Sequence, residues 1–339
     1  MANWVRRVGK IFSGESAPAS TLPTGSSLPT DTAAPAAAEA EATPLPDLDA
    51  ALFDWLLDLA PGPEGAADAT ESLWLTELDP LIAADKGRGE LLPRAAGVIP
   101  PLLNSLRDES QSFAELAERV ARDINLVAEV TRLANSVAFR AREPITELAD
   151  AVRRVGTGGV RQAIAKVVLK PMFDAQSGAL SGRAAARLWL HSQAQADLCR
   201  AIAVARGMDP FEAYLGGLLN NIGWTAGLRA LERVFETHPP AASLAFSHGF
   251  KEGFRVRRDR LFVQLVTAWR LNPALHEAAR DVQYAGSFAA ASDPLAQLLL
   301  AGERLASLQV LVSAGCVADD AALLAGWPVG VRAVYAALS

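Results

Sequence analysis

The side chains in this sequence that could hold a metal or move a proton are few and scattered. The chain has four histidines, His191, His238, His248 and His276, and two cysteines, Cys199 and Cys316. A transition-metal centre needs several imidazole, thiolate or carboxylate ligands converging on one point, usually announced by Cys-x-x-Cys or by histidines at i, i+4. Neither spacing occurs: His238 precedes Pro239-Pro240, His248 precedes Gly249, and His276 stands near the start of a helical stretch. The other polar feature is Asn220-Asn221, near the end of an apolar, small-residue helix that runs from Glu212 and is closed by Gly223. Two adjacent amides there are either hydrogen-bonded core or helix-end residues, or the polar part of a buried site. His191, in Leu188-Trp-Leu-His-Ser192, reads as a core histidine whose partner is Asn220 or Asn221.

These residues need helices to position them. Half of the 339 residues are hydrophobic and only 6% aromatic, and alternating strand-like runs are almost absent, so the expected class is all-α. The two cysteines lie too far apart for a disulfide framework, and no apolar run reaches the length of a membrane span, so a reducing cytoplasm is expected. Residues 1–90 carry 15 Asp/Glu against 5 Lys/Arg, and the remainder 23 against 27. The acidity therefore belongs to the front of the chain, and the rest has no charge excess that would mark a polyanion binder.

Four segments are expected. Residues 1–46 begin with a basic amphipathic helix over 2–12, which could rest on an anionic membrane surface, dock in a partner groove or be a tail without a role. An Ala/Pro/Ser/Thr-rich stretch with too little apolar surface to order follows it. Residues 47–90 form an acidic helical appendage, with Leu48, Leu52, Trp55, Leu56 and Leu59 on one face before Pro61-Gly62, and a second helix over 71–84. Residues 91–305 form the main domain, with helices expected over 112–122, 124–136, 146–155, 159–169, 183–206, 212–223, 226–235, 259–269, 273–284 and 293–311. Pro171 is expected to stop one of them, and 251–260 is expected to be a basic loop that could meet the acidic appendage. Residues 306–339 complete that last helix and add two short ones beyond Ala318. No repeat of fixed period emerges.

Within 91–305, Arg132-Leu-Ala-Asn-Ser136, the following Pro144-Ile145 and the Ala151-Val152…Val155-Gly156 turn resemble the HDOD domain of bacterial signalling proteins. Leu188-Trp-Leu-His-Ser192 stands where that family has its Trp-x-His-Ser helix, and Ala213–Gly223 where it has an AxLxGLLHDIG helix. The resemblance implies a multi-helical bundle related to the metal-dependent HD phosphohydrolases, in which histidines and aspartates hold ions that activate water. At the matching positions this chain has Asn220-Asn221 for the His-Asp pair, Arg258-Asp259 and Asp281-Val-Gln-Tyr284 where relatives often keep histidines, and Ala301-Gly302 for a late Ala-Asp. Only His191 remains. Amides are poor ligands for a divalent transition metal, so the expectation is a vestigial pocket of His191, Asn220 and Asn221, with no catalytic residue, metal or cofactor.

The function expected is that of a non-catalytic signalling or scaffold protein that binds a protein partner. The resemblance points to two-component or cyclic di-GMP pathways. No receiver, GGDEF or EAL segment is read here, so such a partner would act in trans. The alternatives are a nucleotide sensor using the vestigial pocket, a residual phosphohydrolase, and a nucleic-acid binder using Arg140, Arg142, Arg153, Arg154, Arg161, Lys166 and Lys170. Arginine on helix surfaces is usually solvation, which weakens the last.

Overall fold

The structure is a computed structural model that describes residues 47–83, 91, 103, 106, 113–135, 145–173, 178–240, 244–269, 271 and 273–318. The expected helix over 2–12, the segment to residue 46, Arg140, Arg142 and the short helices beyond Ala318 lie outside the described residues. Among the described residues every regular element is an α-helix, as composition and periodicity require. In chain order these are α1 (Leu48–Leu57), α2 (Ala69–Ala83), α3 (Phe113–Ala121), α4 (Ile124–Ala134), α5 (Leu148–Phe173), α6 (Ala179–Arg206), α7 (Pro210–Asn220), α8 (Ile222–Thr237), α9 (His248–Ala268), α10 (Pro273–Ala285) and α11 (Pro294–Ser313).

The helix ends are written in short polar signals. Asp209 caps α7 by accepting from Phe211 N and Glu212 N, and Asp293 caps α11 by accepting from Leu295 N and Ala296 N, each with proline in the first turn. Asp68 and Glu71 form a reciprocal capping box at α2. Asn135, at the end of α4, clamps the chain two residues before Glu147: its amide donates to Ile145 O and accepts from Ile145 N. That gives the asparagine of the Arg132-Leu-Ala-Asn-Ser136 motif a structural role.

Several expected boundaries move. The helices over 146–155 and 159–169 are the two arms of α5, which breaks at Gly156 with φ 67° and ψ −178°, a conformation open to glycine and strained for L side chains. Pro171 does not stop α5, which continues to Phe173. Gly223 does not close α7. The helix ends at Asn220, Asn221 turns the chain, and Gly223 lies inside α8. The expected basic loop over 251–260 is helical, part of an α9 that begins at His248 rather than 259.

Helices α6, α7 and α11 pack against one another as the centre of the bundle, with α8, α9 and α10 completing one side and α3, α4 and α5 packed together on the other. By length and composition α11 could cross a membrane, which scanning for uninterrupted apolar runs does not show. It is mostly buried and serves as a core helix. α1 lies across α6, α9 and α11, and α2 across α8 and α9. Leu52, Phe53, Leu56 and Leu57 are fully buried there, and Phe53 meets Trp224, Phe246, Phe250 and Phe254 ring to ring. Burying a side chain of this size contributes about 1.5–3 kcal/mol. The acidic appendage does meet the basic segment of α9: Lys251 Nζ donates to Asp54 at 2.6 Å, and Arg257 to Asp79 at 2.6 Å.

Candidate functional site

Four helices bring the candidate residues together. α6 supplies His191, Ser192 and Gln195, the α7–α8 junction supplies Asn220, Asn221 and Trp224, and α11 supplies Glu303 and Ser307. All are buried, because each helix turns its small or polar face into the centre where α6, α7 and α11 pack.

The polar groups form a hydrogen-bond chain with one direction. Gln195 Nε2 donates to Leu299 O at 3.3 Å, which leaves Gln195 Oε1 to accept from Asn221 Nδ2 at 2.7 Å. Asn221 Oδ1 then accepts from His191 Nδ1 at 3.0 Å. A neutral imidazole protonated at Nδ1 has an accepting Nε2, which lies 3.1 Å from the Ser307 hydroxyl. The same hydroxyl is 2.9 Å from Glu303 O, so its single proton has two acceptors. Burial lowers the His191 pKa to about 4, and the nearby charge of Arg258 acts in the same direction, so the ring is neutral at pH 7.

His191 and Asn221 are thus joined, whereas Asn220 is not part of the chain. It is buried, and its Nδ2 has no partner. Sequence reasoning missed Gln195, Ser307 and Glu303, and it read Arg258 only as a lost ligand position. The signal available for the first two was spacing: Gln195 lies four residues after His191, and Ser307 four after Glu303, on otherwise apolar helices.

Arg258 is as deeply buried as the carboxylates of Asp259 and Glu303. It is 3% exposed, its Nη2 donates to Asp259 Oδ1 at 2.8 Å, and its Nη1 pairs with Glu303 Oε1 at 2.7 Å without the alignment of a hydrogen bond. Its guanidinium lies over the Trp224 ring at 5.1 Å from the centroid. Burial works against the charge of Arg258, but Glu303, Asp259 and Asp49 more than offset it, so its pKa is raised. Burial pushes the Glu303 carboxyl up to about 7, opposed by Arg258. α8 comes this close to α9 because residue 223 is glycine: a Cβ there would stand 2.6 Å from Arg258 O.

The donor set does not fit a divalent transition metal. Both ring nitrogens of His191 face hydrogen-bond partners, residues 220 and 221 offer amides, and a permanent cation occupies the place of Arg258. At residue 302 a Cβ would lie 2.3 Å from Cys199 Sγ, so the position matching a late aspartate is filled by the neighbouring helix. Among the described residues no three His, Cys, Asp or Glu side chains are grouped to hold a metal.

A model of the HDOD domain matches residues 92–284, more than half of the chain. The chain belongs to the HDOD family. An HDOD domain protein of unknown function from Geobacter sulfurreducens is similar at 20% identity and TM-score 0.51, over 79% of this chain and 89% of that one, which shows a shared fold. A Shewanella amazonensis protein provisionally described as a metal-dependent phosphohydrolase matches at 16% identity and TM-score 0.49, over 80% of this chain and 100% of that one. No curated protein matches. In this HDOD chain α1, α2 and α11 lie outside the matched segment, yet α11 contributes Glu303 and Ser307 and α1 covers Trp224.

Proposed function

We propose that this HDOD protein is a non-catalytic component of bacterial signal transduction that works in the cytoplasm by binding another protein. The observation that carries this reading is the closed hydrogen-bond chain from Leu299 O through Gln195, Asn221 and His191 to Ser307. A phosphohydrolase of the HD type needs ligands free to hold an ion and a water. Here the surviving histidine is part of the internal packing of three helices, and the places of the other ligands hold amides, an arginine and a glycine. Family membership supports a signalling role, with a two-component or cyclic di-GMP pathway protein as the partner in trans.

Proximity labelling in cells with the full chain tests this reading, with a chain lacking residues 1–46 as comparison. The expected result is repeated enrichment of one signalling protein that then binds the purified full chain with a micromolar or tighter constant. Failure to find a direct binder, together with metal-dependent phosphoesterase activity of the purified chain, would overturn it. Enrichment lost with residues 1–46 would assign the contact to that segment, including its basic residues Arg6, Arg7 and Lys10.

A further inference from the structure

We propose that Arg258 is the resident cation of this pocket, a guanidinium site built into the chain at a position where the family resemblance would put a histidine. It does not rest on the partner-binding reading, which could fail without touching it.

Three observations converge on the assignment. First, the charges: the carboxylates of Asp49, Asp259 and Glu303 act on Arg258, and the second cation nearby, Arg255, pairs outward with Glu252, shares Asp259 with Arg258 at 3.3 Å and lies 3.8 Å from Asp49. Asp259 and Glu303 are each 3% exposed, and buried carboxylates without a cation are strongly destabilising. Second, the shape: a planar, weakly hydrated guanidinium can pair with carboxylates at its edge while its face rests on Trp224, which a small hydrated ion cannot do. Third, the enclosure: Gly223 admits the α9 backbone, Phe53 and Phe254 flank Trp224, and α1 covers α6, α9 and α11 together. A divalent ion entering here would face a fixed positive charge at low local dielectric. The class of ligand this pocket takes, once the side chain is cut back, is therefore a small alkylguanidinium.

The test compares thermal melting of the full-length wild type and Arg258→Ala in millimolar ethylguanidinium, propylammonium or manganese chloride. The variant is expected to melt about 10 °C lower, because it leaves buried Glu303 without its cation and Asp259 with Arg255 in place of two arginines. Ethylguanidinium should recover part of that loss in the variant and leave the wild type unmoved, whereas propylammonium and manganese should recover none. Equal recovery by propylammonium, a wild type stabilised by manganese, or a variant melting within about 2 °C of wild type would overturn the proposal. If Arg258→Ala does not accumulate as folded protein, Arg258→Met combined with Asp259→Asn and Glu303→Gln decides the matter. Folding of the triple variant supports the assignment, and its failure to fold contradicts it.

Discussion

Asn221 donates to Gln195 and accepts from His191, whereas the buried Nδ2 of its neighbour Asn220 has no partner, so truncating the two amides should have different consequences. Asn221→Ala leaves two buried groups unpaired and is expected to cost about 1–3 kcal/mol in urea unfolding, and Asn220→Ala about 1 kcal/mol or less. His191 makes a second prediction. Its folded pKa of about 4 lies below the unfolded value of 6.5, so as pH falls through that window the unfolded chain takes up a proton that the folded chain refuses. The His191 contribution is therefore full above pH 6.5 and declines by up to about 3 kcal/mol toward pH 4. Subtracting the stability of His191→Gln from that of the wild type at each pH isolates the imidazole, and the difference should grow from pH 4 to 6.5. At this scale the sequence shows which polar residues stand on apolar helices, and so yields His191, Asn220 and Asn221. It does not show which of them meet, because Ser307 is 116 residues from His191 and only packing brings them together.

At the scale of elements, helix spacing is set by residues that are absent as much as by those present. Gly302 lets α11 close onto Cys199 of α6, so Gly302→Ala is expected to destabilise by about 1–3 kcal/mol. Adding Cys199→Ala should return much of that loss in a double-mutant cycle, since the clash is with the sulfur. Phe53→Ala removes the ring at the centre of the aromatic cluster and should cost about 3–5 kcal/mol. Most helices were legible from periodicity and caps, and Asp209-Pro210 and Asp293-Pro294 mark their starts directly. The first half of α9 was not, because Gly249, Gly253 and the dense charges of 251–260 imitate a loop. Those charges are compatible with a helix because they meet α1 and α2: Lys251 binds Asp54, Arg257 binds Asp79, and only tertiary pairing resolves the ambiguity. Gly156 was legible as a break, although the two arms run on as one kinked element.

Over the whole molecule, the HDOD match ends at both sides of a core that it does not complete. α1 and α2 bury Leu52, Phe53, Leu56, Leu57, Trp74 and Leu78 against the bundle, so removing 47–83 should expose Trp224, Phe246, Phe250 and Phe254 and yield insoluble protein. Binding studies therefore need the arm in place. The family was legible because its motifs are local and ordered along the chain, while the closed state of the pocket depends on contacts of α6 with Asn221 and α11, and of α11 with Arg258 of α9, that no single motif contains. Elemental analysis of the full chain purified without chelators distinguishes a pocket that is internal packing from one that is a metal centre. Iron, manganese and zinc are expected well below one ion per chain. A near-stoichiometric metal that disappears in His191→Ala would contradict internal packing.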